Sequence, residues 1–268
     1  SSRGQLSATE SKASWTGDAK CLPDGLLLPE EPIAALETLQ TAWRSSPVDF
    51  PLSSGLVGFL SWGTVNLTEK LPDAKPADYS IPLYGFNQFS DLVVMDHQKS
   101  ELLLVSVVFV DGTPLRESYS RALDAISKMQ KIVEMPTPAM VSEPNWPEPD
   151  AVSNTAKDQF LEKVELAKEH VRKGDVFQVV ISQRFDHQAT ADALDVYRAL
   201  RALNPSPYMY LIRCQDQDGP FAIVGSSPEA LVKVMGTNVV THPIAGSRPR
   251  GQDTSTDNQL AEDLLADE

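Results

Sequence analysis

Apolar positions along this chain fall into short alternating runs and a few helical faces, punctuated by proline and glycine. Leu6 to Trp15 reads as one strand already in progress. From Pro29 to Trp43, the apolar residues Ile33, Leu36, Leu39 and Trp43 recur at helical spacing. Gly55 to Leu60 is a glycine-flanked apolar run that suits a buried strand. Two β-rich runs, Asp91 to Met95 and Leu102 to Val110, flank the polar stretch Asp96 to Ser100 and predict a hairpin. Helical periodicity returns from Pro114 to Val133 through Leu115, Tyr119, Leu123, Ile126 and Ile132.

Between Glu134 and Pro149 the pattern breaks. Pro136, Pro138, Pro144, Pro147 and Pro149 lie in an acidic stretch that excludes helix and disfavours strand, which marks a linker over 134–152. Beyond it, Thr155 to Asp158 resembles a capping box, and Phe160, Val164, Ala167 and Val171 share a helical face that Gly174 ends. Val176 to Phe185 alternates, with Phe177, Val179 and Ile181 on one face and Gln178, Val180 and Ser182 on the other. A helix from Ala191 to Leu203 and the turn Asn204 to Pro207 follow. Strand-like runs at Tyr208–Arg213, Phe221–Val224, Ala230–Val234 and Val239–His242 complete the pattern. Short strands joined by turns, with helices segregated between them, predict an α+β fold and not a doubly wound parallel sheet.

Composition narrows the function. The 268 residues are 41% hydrophobic and 22% charged, enough to build a core. With 23 basic against 37 acidic residues, the net charge of −14 opposes binding to phosphate backbones and anionic lipid, so neither nucleic acid nor membrane is an expected partner. The longest apolar run, Leu102 to Val110, is too short to span a bilayer. The chain does not open with a secretory signal, and Cys21 and Cys214 are too few for a disulfide framework. A reducing cytoplasm is the expected compartment.

The common catalytic signatures are missing: no phosphate-binding glycine loop, no H-E-x-x-H, no C-x-x-C and no G-x-S-x-G. The four histidines are scattered without ligand spacing. Three features stand out. Gly246 to Gly251 is a glycine-bounded loop carrying Arg248 and Arg250, either a carboxylate or phosphate cradle or an exposed turn with solvated arginines. Glu229, after Ser227 and Pro228, sits at the mouth of a strand as a general acid or as a surface glutamate. Gln178 places a neutral amide on one strand face, in a covered cavity or at a solvated edge.

Four segments, in order and spacing, resemble the chorismate-utilising enzymes, and most closely anthranilate synthase component I. They are Gly174 to Phe185, Asn204 to Tyr210, Gly225 to Glu229, and Pro243 to Gly251; Gly55–Leu60 and Asp96-His97 are weaker landmarks. The resemblance implies a sandwich of two antiparallel sheets flanked by helices. It also implies conversion of chorismate and ammonia to anthranilate and pyruvate, the first committed step of tryptophan biosynthesis. Ammonia would come from glutamine through an amidotransferase, anthranilate synthase component II. Glu229 falls at the family's general acid, Gly246 and Ser247 at a substrate-carboxylate site, and Pro207, Tyr208 and Met209 in the segment that binds the feedback inhibitor tryptophan.

Two positions separate the subfamilies. Relatives that add water to chorismate have a lysine base where this chain has Gln178, and an amide cannot take that proton. Aminodeoxychorismate synthase carries a nucleophilic lysine where this chain has Ala245. The departures are equally specific: Ser247 replaces a threonine, and the K-E-x-x-E-H stretch with its glutamates for Mg²⁺ lies beyond Glu268. Metal ligands are therefore not expected in this chain, and Glu262, Asp263, Asp267 and Glu268 are not taken for them. The reading is a piece incomplete at both ends and inactive by itself. It assigns 1–133 to the N-terminal component I region and 153–268 to the first part of the chorismate-binding domain. The alternatives are aminodeoxychorismate synthase component I, or a non-catalytic tryptophan- or carboxylate-binding relative.

Overall fold

The computed structural model describes residues 2–45, 48, 52, 54–72, 79–136, 150–244 and 246–267. Ala245 and the prolines Pro138, Pro144, Pro147 and Pro149 lie outside the described residues. Two compact units emerge, one formed by Ser1–Glu134 with Ala193–Glu268, the other by Met135–Asp192.

The larger unit begins with a hairpin. Strands β1 (Ser2–Ala8) and β2 (Ala13–Gly17) pair antiparallel, with Leu6 opposite Trp15. The single strand expected over Leu6 to Trp15 is thus folded back on itself. Its polar middle makes the turn: Thr9 N donates to the Lys12 carbonyl at 2.9 Å, and the Thr9 hydroxyl accepts from Lys12 N at 3.2 Å. Helix α1 (Pro32–Ala42) starts three residues later than periodicity suggested, because Glu31 caps it. The Glu31 carboxylate accepts from Ile33 N and Ala34 N at 3.0 and 2.6 Å, and Pro32 occupies the first turn, where no N–H is needed.

Strands β3 (Gly55–Leu60) and β4 (Tyr84–Phe89) complete an antiparallel sheet of order β2-β1-β4-β3. One face carries Leu6, Ala8 and Tyr84 against Ala35 and Leu39 of α1, all buried. The Tyr84 hydroxyl donates to the Pro32 carbonyl at 2.8 Å, tying sheet to helix. Strand β4 carries no clear alternation in the sequence, yet it is one of the sheet's two inner strands. The hairpin β5 (Asp91–Asp96) and β6 (Glu101–Ser106) matches its expected position, and α2 (Leu115–Glu134) packs on it.

The smaller unit holds β7 (Val152–Ser153), α3 (Lys157–Lys173) and β8 (Phe185–Asp186), the two strands forming a minimal ladder. Gly174 ends α3 in a left-handed conformation (φ 77°), as expected of a C-terminal glycine. Two expectations fail here. The capping box does not form: Ala156 is the cap residue, and the Ser153 hydroxyl donates instead to the Thr155 carbonyl at 2.6 Å. The strand over Val176 to Phe185 is reduced to its last residue, since residues 176–184 find no ladder partner among the described residues. Phe177 and Val180 are 96% and 85% exposed as a result.

The chain returns to the larger unit with α4 (Ala193–Leu203), then β9 (Tyr208–Asp216) and β10 (Gly219–Ser227), a long antiparallel hairpin. Its turn end lies on the second face of the four-stranded sheet. There Phe59 meets Phe221 edge-on with centroids 5.9 Å apart, and Asn87 Nδ2 donates to the Arg213 carbonyl at 2.8 Å. The hairpin also packs on α4, so the layers run α1, sheet, hairpin, α4. A short hairpin, β11 (Lys233–Met235) with β12 (Asn238–Val240), and helix α5 (Thr254–Leu265) finish the chain. Every strand pairing among the described residues is antiparallel, in keeping with the α+β class.

Two outcomes test this core. Leu39→Ala removes a fully buried side chain between α1 and the sheet, and should cost about 2–5 kcal/mol in urea unfolding. The Tyr84 phenol, pushed up to about 12 by burial and then by the Glu31 charge, keeps its proton where an exposed tyrosine near 10 has lost it. The unfolded chain therefore binds fewer protons between pH 10 and 12, and stability should fall as pH rises through that window. Ultraviolet titration should show one tyrosine of the six ionising last, together with unfolding.

Candidate active site

The open end of the β9–β10 hairpin gathers two of the motif segments. Tyr208 lies opposite Ser227, Met209 opposite Ser226, and Tyr210 opposite Gly225. The Tyr210 ring covers Gly225 so closely that a Cβ there would sit 2.1 Å from the ring, so only glycine fits. Ser226 Oγ donates to the Asn204 carbonyl at 2.7 Å, which ties the strand to the turn after α4. Ser227 Oγ donates to the Glu229 carbonyl at 3.0 Å and sets the chain's exit from β10. Glu229 follows directly, half-buried, and its carboxylate has no partner among the described residues. Pro207, Tyr208 and Met209 therefore stand beside the strand end that presents Glu229. Pro207 is exposed, Tyr208 is 45% exposed and Met209 is half-buried.

The Gly246 to Gly251 loop lies along α5. Gly246 backs onto Leu264, whose Cδ1 would be 3.3 Å from an added Cβ. Arg248 Nη2 pairs with Asp267, and its Nη1 donates to the Ser247 carbonyl at 3.2 Å. Arg250 grips Asp257 with both sides of its guanidinium, Nε to Oδ1 at 2.8 Å and Nη2 to Oδ2 at 2.5 Å. Gly251 N adds a third bond to Asp257 Oδ1 at 2.8 Å. Both arginines are exposed, as in an open turn, and each is already paired with a carboxylate, Arg248 with Asp267 just past α5 and Arg250 with Asp257 in its first turn. The Ser247 hydroxyl has no partner among the described residues.

Gln178 belongs to the smaller unit, exposed in the unladdered stretch 176–184. The structure thus brings the strand end before Glu229 beside Pro207–Met209, sets Gly246 against α5 and leaves Ser247 exposed. Sequence reasoning missed Tyr210 and Asp257, the groups that fix the two motif loops. An Arg250-to-Asp257 spacing of seven residues across a helix start was visible, but several acids nearby offered the same match. Two clefts in the larger unit, about 200 and 700 Å³, lie elsewhere; Gln5, Asn87 and Gln215 help line the larger. Among the described residues, no group of three or more His, Cys, Asp or Glu is placed to hold a metal ion, and no helix is long and apolar enough to cross a membrane.

The Arg250 guanidinium and then the Gly251 N–H hold the Asp257 carboxyl down at about 2, against an ordinary 3.8. A carboxylate depressed in the folded state stabilises it fully above the unfolded value and loses that contribution as pH falls toward 2. The Gly251 amide resonance should therefore keep its native shift at pH 4 and move with a midpoint near 2. A midpoint near 4 would mean the clamp is absent.

Comparison with known proteins agrees with the family resemblance. Anthranilate synthase component 1 of Arthrobacter globiformis is 38% identical over 286 aligned positions, covering 100% of this chain and 52% of that protein. Its counterpart from Thermus thermophilus is 35% identical, covering 89% of this chain and 49% of that protein. The crystal structure of anthranilate synthase component I from Streptococcus pneumoniae TIGR4 superposes with a TM-score of 0.76 at 25% identity, over 100% of this chain and 56% of that one. The chain spans about half the length of the curated relatives it matches. Residues 6–268 match the family described as chorismate binding enzyme, and the chain belongs to that family.

Proposed function

We propose that the protein carrying this chain is the chorismate-binding subunit of anthranilate synthase, turning chorismate and ammonia into anthranilate and pyruvate in the cytoplasm. The observation that carries this reading is the similarity along the whole chain to a bacterial protein named anthranilate synthase component 1. A component 1 implies a component 2, here an amidotransferase that releases ammonia from glutamine. On this reading 1–133 is the N-terminal region and 153–268 the first part of the chorismate-binding domain, joined by the linker 134–152.

In the proposed chemistry, the Glu229 carboxyl protonates the C4 hydroxyl of chorismate as it leaves, which requires a carboxyl not already engaged by another residue. The half-buried, unpartnered side chain after β10 meets that requirement. Gly246, through its backbone, and Ser247, through its hydroxyl, hold a substrate carboxylate. Gln178 supplies no base, which suits a nucleophile that arrives as neutral ammonia. Pro207, Tyr208 and Met209 form part of the tryptophan inhibitor site. The family's Mg²⁺ does not fit the described residues of this chain.

The full-length polypeptide carrying this chain, given chorismate, ammonium and Mg²⁺, should generate anthranilate fluorescence. Aminodeoxychorismate or isochorismate as the product would overturn the assignment. Glu229→Gln should lower turnover by about 10²–10⁴-fold, the usual range for one acid–base group; an undiminished rate removes Glu229 from that role.

A further inference from the structure

The loop 246–251 has no secondary structure of its own. Among the described residues, its hydrogen bonds to groups outside the loop end on two carboxylates only, Asp257 and Asp267. The two are unequal. Asp267 takes one guanidinium nitrogen of Arg248. Asp257 takes both sides of the Arg250 guanidinium and, in addition, a main-chain N–H of the loop. A backbone bond fixes the path of the chain, whereas a long side chain can swing while its ion pair persists.

Steric fit reinforces the bond. A Cβ on Gly251 would lie 2.2 Å from Asp257 N, so the loop backbone rests directly on the first turn of α5. That turn is itself held: Asp253 Oδ1 accepts from Thr256 N and Thr256 Oγ1, both at 2.8 Å. At the loop's other end Gly246 lies against Leu264, nearly two turns further along the same helix. The loop is therefore stretched along α5 between a steric contact and a three-bond clamp, with Ser247 between them.

We propose that Asp257 is a positioning residue for substrate: it holds the loop in the one shape in which Gly246 and Ser247 present their donors to a carboxylate of chorismate. The proposal rests on the reading of Gly246 and Ser247 as the carboxylate site. It also assigns Arg248 and Arg250 to loop architecture and not to substrate, because their guanidinium groups are engaged by Asp267, just past α5, and by Asp257. Carboxylate binding then relies on neutral donors whose aim is fixed in advance, and its strength follows the fraction of time the loop holds that shape. A loop that is competent a tenth of the time binds about tenfold more weakly.

The test uses the full-length polypeptide carrying this chain, with ammonium as nitrogen donor. Asp257→Asn keeps an oxygen for Gly251 N–H but removes the charge that Arg250 needs. It should raise the chorismate KM about tenfold and leave kcat within about threefold, and Asp257→Glu should recover part of the loss. A lowered thermal midpoint with an unchanged KM would show a merely structural role and overturn the proposal. Ser247→Ala separates the two layers of the argument. If Ser247→Ala raises KM and Asp257→Asn does not, positioning by Asp257 is wrong while the carboxylate site stands; if Ser247→Ala has no effect, the site itself is misassigned. Should Asp257→Asn fail to fold, Arg250→Ala breaks the same clamp from an 89% exposed side chain, and an unchanged KM there is equally fatal.

Discussion

The buried amide of Asn87 joins the two layers on which the rest of the larger unit is built. Strand β4 is covered on both faces, by α1 on one and by the β9–β10 hairpin on the other. A doubly covered strand cannot leave a polar side chain unmatched without a cost of about 1–3 kcal/mol. Asn87 meets that demand by donating to the Arg213 carbonyl at 2.8 Å and lying 3.7 Å from Cys214 Sγ, whereas the neighbouring Gln88 amide, on the other face, is buried without a hydrogen-bond partner among the described residues and bears that cost. Gln5 repeats the device one strand over, its Nε2 donating to the Gln215 carbonyl at 2.6 Å while its Oε1 accepts from Gln215 N. These amides set where β9 crosses the sheet. Because β9 and β10 keep unbroken register over nine residue pairs, they also set where Tyr208 and Glu229 appear at the far end.

The amphipathic elements were legible in the sequence because their signal is local. Helices α1, α2, α3 and α4, and the hairpins β5–β6 and β9–β10, each carry their own periodicity and their own stop. Strand β4 was not legible. Tyr84-Gly85-Phe86-Asn87-Gln88-Phe89 alternates only partly, and its two amides read as loop until both covering layers are known. The stretch 176–184 fails in the opposite sense: its alternation is strong, but alternation specifies faces and not a partner, and a strand exists only when another strand pairs with it. At Thr155 the local capping pattern lost to a competing local bond from Ser153.

The two arginines of the 246–251 loop show why site chemistry is harder to read than elements. In sequence they stood out as cations in an acidic chain. The same excess, 37 acids against 23 bases, makes an unpaired arginine the exception, and the folded chain supplies Asp257 and Asp267 to them. Charge composition pointed to the loop as an unusual place, but the carboxylates that pair with its exposed arginines become visible only in the folded chain.

Residues in the recognisable segments divide accordingly. Gly225 is required by the Tyr210 ring and Gly251 by the first turn of α5; Ser226 and Ser227 hold backbone carbonyls, Arg250 holds Asp257 of α5, and Arg248 holds Asp267 just past it. Each has an internal task that explains its identity without reference to a ligand. Subtracting them from the Gly225–Glu229 and Gly246–Gly251 segments leaves two side chains with reactive or donor groups and no partner among the described residues: the carboxylate of Glu229 and the hydroxyl of Ser247. Under the proposed function, these are the two side chains left to meet the substrate.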